Sequence, residues 1–109
     1  MKNDKIYLRH IDDAITHIEN FIRAVDANSF SRNALVYSAV IRQLEIIGEA
    51  VKNLSVDFRK AHKQIPWKDI SGLRDKLIHQ YFGVDNLLVW KICKKELPEL
   101  KRFVQNILK

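Results

Sequence analysis

Leu8, Ile11, Ile15, Ile18, Ile22 and Val25 recur at alternating steps of three and four residues. An α-helix turns that period into one continuous apolar face, whereas a strand would scatter it over both sides. The chain has 109 residues but only three Gly and two Pro, so it is poor in the turn chemistry that β-hairpins need. Both observations predict an all-α fold. Asp26-Ala27-Asn28-Ser29 interrupts the stripe, and Asn28, Ser29 or Ser31 can cap the next helix. That second helix is expected to run to about Leu54, with Tyr37, Val40, Ile41, Leu44, Ile47, Val51 and Leu54 on its apolar side. Gly48 within it suits close approach of another helix.

Residues 55–66 are polar and basic, with Val56, Phe58 and Ile65 as anchors, and Pro66 stops any helix before it. Pro66-Trp67-Lys68-Asp69-Ile70 then reads as a fresh helix start that ends near Gly83, a natural residue just past a helix. A fourth helix is expected from Asp85, and Pro98 either kinks it or opens a last short helix carrying Leu100, Val104, Ile107 and Leu108. Short connections make an up-and-down bundle of four or five helices the expected architecture, as a single domain over residues 1–109. Apolar runs such as Leu87-Leu88-Val89-Trp90 fall far short of a membrane span, and Met1 to Lys5 leads into charged amphipathic sequence without a signal-like apolar core. A lone Cys93 excludes an internal disulfide. These features point to a cytoplasmic protein without membrane association.

Charge is unevenly distributed. Residues 1–26 carry four Lys/Arg and five Asp/Glu, residues 27–51 two of each, and residues 52–109 thirteen basic against six acidic groups. The net +6 of the chain therefore resides in its second half, the footprint expected of a phosphate-rich partner or of well-solvated helix faces. His10 and His17, seven residues apart, share a helix face without a carboxylate at ligand spacing, so no metal site is expected. His62 sits in Arg59-Lys60-Ala61-His62-Lys63 and is expected in solvent, and Glu45 and Glu49 read as a solvated helix face. Cys93 stands among Lys91, Lys94 and Lys95 but reads as filler rather than as a nucleophile. Trp67, Phe82 and Trp90 read as core or interface aromatics.

The third helix has the densest chemistry, Leu73-Arg74-Asp75-Lys76-Leu77-Ile78-His79-Gln80-Tyr81. At about 100° per residue, Ile70, Leu73, Leu77 and Tyr81 form the bundle-facing stripe, while Arg74, Asp75, Ile78 and His79 spread across an adjoining arc. Asp75 and His79, at i and i+4, stand where a carboxylate can fix an imidazole's tautomer. Spacing alone fits an ordinary surface pair equally well.

Arg74, four intervening residues, His79, one more residue and Tyr81 match the signature of HepT-like proteins, a branch of the HEPN all-α domains. The resemblance extends over Ile47-Gly48-Glu49-Ala50-Val51-Lys52, Ile65-Pro66-Trp67, Val84-Asp85, Trp90 and Leu97-Pro98. Asp75 and Gln80 stand where the commonest family pattern has Asn and Gly. The resemblance implies a homodimeric, metal-independent ribonuclease toxin that needs no cofactor and acts on RNA. It also implies a minimal nucleotidyltransferase of the MNT type as antitoxin partner, which transfers AMP onto the tyrosine matching Tyr81. Arg74 and His79 would be the catalytic pair, with Asp75 orienting His79 and Lys76 contacting RNA phosphates. The alternative within the same family is a non-catalytic module that binds nucleotides or another protein.

Overall fold

Asp26 and Asn33 divide the first half of the chain, each by folding a side chain back onto the helix that follows it. In the computed structural model, which describes residues 3–79 and 86–109 and leaves out the side chains at 74 and 77–79, α1 spans Asp4–Ile22. It buries Leu8, Ile11, Ile15, Ile18 and Ile22, the expected stripe, together with Ala14. The Asp26 carboxylate accepts from the Ser29 backbone N–H at 2.8 Å and opens a one-and-a-half-turn helix, α2, Ala27–Arg32. That bond holds the Asp26 carboxyl below its usual range. Asn33 then leaves the helix with extended backbone, and its Oδ1 accepts from Val36 N at 3.0 Å to start α3, Ala34–Asn53. The single second helix expected from the pattern is thus two helices. Their caps are Asp26 and Asn33 rather than Asn28, Ser29 or Ser31, because a residue that turns the chain must itself be outside the helix.

Along α3, Val40, Leu44, Ile47, Gly48, Ala50 and Val51 are buried, and α1 packs along this face. Phe30 of α2 is fully buried against the rings of Tyr37 and Trp90. The stretch after α3 is also helical: Ser55 caps α4, Val56–Ala61, its Oγ accepting from Phe58 N at 3.1 Å. Ser55 is anchored across the molecule, its backbone N–H and hydroxyl donating to the two carboxylate oxygens of Asp4 at 2.7 and 2.8 Å. Of the three anchors expected here, Phe58 and Ile65 are half-buried against the core, but Val56 is exposed. On a helix this short, one face meets the core, and Phe58 takes it.

α5, Trp67–His79, begins directly after Pro66 as expected. Trp67 is buried, and its indole N–H donates to the His62 carbonyl at 2.9 Å. Ile70 and Leu73 lean on the core from the same helix, which lies along α3. The expected helix end at Gly83 and the N-cap at Asp85 lie outside the described residues. α6, Asn86–Lys91, continues through a π-helical segment, Ile92–Glu96, into α7, Leu97–Leu108. Pro98 occupies the first turn of α7. It lacks the N–H that would close an α-turn on the Lys94 carbonyl, and the widened turn, closed by Leu97 N–H on the Ile92 carbonyl, accommodates that loss. α7 buries Leu97, Leu100 and Val104 and is tied to α1 by Lys101 Nζ on Glu19 at 2.6 Å. The described residues contain no strand, so the fold is all-α. No helix among them is long and apolar enough to cross a membrane.

Candidate functional site on the fifth helix

α5 gathers a guanidinium, a carboxylate, an ammonium and an imidazole within six consecutive positions, Arg74 to His79. The helix exists here because Pro66 presets its entry, Trp67 anchors its first turn, and Ile70 and Leu73 hold one side against the core. Asp75 and Lys76 are both exposed. Arg74 and His79 lie on the α5 backbone five residues apart, which on a regular helix separates them by about 140° around the axis. Tyr81, the modification candidate, lies outside the described residues, as does Phe82.

The structure adds a contact that the linear pattern did not signal. Lys52, in the last turn of α3, places its Nζ 3.3 Å from Asp75 Oδ1. The two residues are 23 positions apart, and nothing in their local sequence marks them as partners. The pair ties the end of α3 to the chemistry-bearing helix. It also gives Asp75 a cationic neighbour besides the imidazole one turn away in sequence.

The other candidates divide clearly. His10 and His17 are exposed, each near an aromatic ring on α1, Tyr7 and Phe21 respectively. His62 is not solvated as expected. It is half-buried, its ring 4.6 Å from that of Phe58 and 5.2 Å from that of Phe103. Phe103 comes from α7, so this aromatic cluster forms only when the chain is folded. Glu45 is met by Arg42 at 3.5 Å, and Glu49 accepts from Asn53. Cys93 is buried on the π-helical segment, and desolvation pushes its thiol up to about 12, which suits filler rather than a nucleophile. Trp90 is half-buried on Phe30. Among the described residues no group of three or more His, Cys, Asp or Glu side chains could hold a metal ion.

A cavity of about 280 Å³ opens between α3, the first half of α5 and α7. Leu44, Ile47, Ile70 and Leu73 supply apolar walls, and Asp69, Glu96 and Glu99 its acidic groups. Three carboxylates make it a poor seat for phosphate.

The described residues form an all-helical protein whose fifth helix carries Arg, Asp, Lys and His within six positions of its sequence. The family model described as Ribonuclease HepT-like matches residues 11–107. The chain belongs to this HepT-like ribonuclease family. It is 44% identical over 108 residues to the "Probable ribonuclease HepT" of Thermococcus cleftensis, covering 99% of this chain and 98% of that one. A provisionally designated RNase of Caldanaerobacter subterraneus subsp. tengcongensis is 44% identical over 108 residues, 99% of this chain and 96% of the relative. One of Methanocaldococcus jannaschii, with the same kind of designation, is 48% identical over 102 residues, 94% and 84% of the two chains. No solved structure matches the chain at a significant level.

Proposed function

We propose that this protein is a metal-independent endoribonuclease of the cytoplasm, acting as the toxin of a HEPN/MNT pair. In this reading one domain, residues 1–109, forms a homodimer with a composite site from both copies. The observation that carries the proposal is the set Arg74, Asp75, Lys76 and His79 on one helix of a HepT-like chain.

The chemistry explains why two copies are needed. Cleavage by attack of the ribose 2′-oxygen on the adjacent phosphorus forms one P–O bond and breaks the bond to the 5′-oxygen. A base must take the 2′-OH proton, an acid must protonate the departing 5′-oxygen, and cations must stabilise the charge on the phosphorane. An imidazole with an unperturbed pKa near 6.5 serves either proton role at neutral pH. A guanidinium stays charged and its planar fork matches two phosphate oxygens. One chain brings one His79 and one Arg74, which leaves it short of a second proton-transfer group. A two-fold dimer joining two α5 helices supplies both copies. Asp75 orients the imidazole, Lys76 contacts a flanking phosphate, and AMP placed on Tyr81 by a nucleotidyltransferase partner adds negative charge and bulk beside the site.

The test is cleavage of a single-stranded RNA and of its 2′-O-methyl analogue with the purified protein, in the presence of a chelator. RNA should be cut and the analogue spared, and His79→Ala should lower the rate by about 10²- to 10⁴-fold, the worth of a general acid or base. Tyr81→Phe should remain an active nuclease and escape silencing when the partner nucleotidyltransferase and ATP are added. Full activity of His79→Ala would remove the proposed site. An oligonucleotide-binding protein that cuts nothing would leave the non-catalytic reading.

A further inference from the structure

Three cations among the described residues are ion-paired. Arg42, Lys52 and Lys101 are each matched by a carboxylate, Glu45, Asp75 and Glu19 respectively. Around α4 three unpaired cations come together. Arg59, Lys60 and Lys63 line one shallow hollow with Val56, about 390 Å³ in volume, and no carboxylate is among its lining residues. None of the three cations has an ion-pair partner among the described residues. Arg59 is half-buried, and its Nε is closed off without a hydrogen-bond partner, which restricts the guanidinium to few orientations. Lys60 and Lys63 are exposed.

The hollow is also held in place. Ser55 caps α4 and is bonded twice to Asp4 of α1, while Phe58 and His62 on the inner side pack against Phe103 of α7. Arg59 and Lys60 lie in the last turn of α4, where the partial negative charge of the helix end tolerates cations without a carboxylate. Lys63 lies just beyond the helix. Three converging positive charges repel one another, and an anion spanning them relieves the repulsion. The exposed Val56 adds an apolar surface to the same hollow, which suits the carbon face of a ribose.

We infer that this α4 hollow is a second docking point for the phosphodiester backbone of single-stranded RNA, on a different element from the proposed cleavage site. The inference rests on the ribonuclease reading for the identity of the ligand. Contacts of this kind are sequence-independent, so the hollow holds and aligns the strand without choosing the cut. The cavity beside the first half of α5, with its three carboxylates, excludes the strand from that flank.

The experiment measures affinity for a fluorescent, uncleavable 2′-O-methyl oligonucleotide as a function of KCl concentration. Each cation on a single strand contributes about 0.7 to the slope of log affinity against log salt. The triple variant Arg59→Gln/Lys60→Gln/Lys63→Gln should therefore lower the slope by about 2. A control triple on α1 and the residue just past it, Lys5→Gln/Arg9→Gln/Arg23→Gln, should leave it unchanged. The double variant Lys60→Gln/Lys63→Gln changes only exposed side chains and should lower the slope by about 1.4, which keeps the test open if loss of Arg59 disturbs folding. Equal effects of the two triples, an unchanged slope in the α4 variants, or no binding by the unaltered protein would each overturn the inference. Binding with the expected slopes but no cleavage of unmodified RNA would support the docking point and defeat the nuclease reading separately.

Discussion

Asp75→Asn separates a positioning role from a structural one, because losing the ion pair with Lys52 removes little stability. The carboxylate lies 3.3 Å from Lys52 Nζ, and the two side chains are 53% and 40% exposed. An ion pair this open to water is worth about 0.2–1 kcal/mol, the Coulomb attraction being screened and offset by side-chain ordering. Against a total stability of about 5–15 kcal/mol, that loss leaves the folded fraction at 25 °C essentially unchanged. The midpoint of thermal unfolding should fall by less than about 8 °C. If Asp75 orients the His79 imidazole, the turnover number should fall at least tenfold, equivalent to about 1.4 kcal/mol of transition-state stabilisation. The limb of the pH–rate profile set by His79 should also move to lower pH, because a nearby carboxylate favours the imidazolium. Lys52→Met removes the same ion pair from the other side and serves as the control. It should cost similar stability and keep both the turnover number and the pH limb. The assay pairs circular-dichroism melting with single-turnover RNA cleavage across pH 5–8. Equal cleavage losses in the two variants, or an Asp75→Asn variant with an unshifted pH limb, would reduce Asp75 to one end of a surface pair.

Two further predictions concern what holds the candidate surfaces in place. Asp4→Ala should destabilise the protein by about 2–3 kcal/mol, since it removes two charge-assisted hydrogen bonds to Ser55 that are partly shielded from water. Combined with Ser55→Ala in urea titrations, it should show at least about 1 kcal/mol of coupling, and strictly additive losses would refute the link. Cys93 should resist a thiol reagent at pH 8 until the protein unfolds. Its folded pKa is raised from 9.0 to about 12 by burial, so its stabilising contribution is complete below pH 9 and is lost as pH rises from there through 12. Cys93→Ala should therefore flatten the alkaline fall in stability relative to the unaltered protein, and an identical fall in both would contradict that assignment.

Much of this molecule is written in short-range pattern. The step of three and four residues from Leu8 to Ile22 already defines α1 and its buried face, because a helix brings such positions together whatever surrounds it. The apolar side of α3 and the entry of α5 after Pro66 were legible for the same reason. So was the grouping of Arg74, Asp75, Lys76 and His79, and with it the family. Splitting of the second helix at Asn33 was not legible, because one extended residue leaves the apolar period almost unbroken on either side. The helicity of α4 was hidden by its polar composition. The Ser55 hydroxyl that caps it is itself held by a carboxylate 51 residues away.

His62 is the clearest case of a residue whose surroundings its neighbours in sequence misreport. It sits among Arg59, Lys60 and Lys63, yet its ring meets Phe103, brought in by α7. Lys52 and Asp75, and Glu19 and Lys101, likewise pair across 23 and 82 positions. Order along the chain settled the helices, their inward faces and the residues that one helix can present together, since those follow from backbone geometry over a few turns. Which cations are neutralised, which remain bare around α4, and where carboxylates line a cavity depended on helices meeting in space. Such pairings follow from the packing of whole apolar faces and leave no mark in the residues beside them.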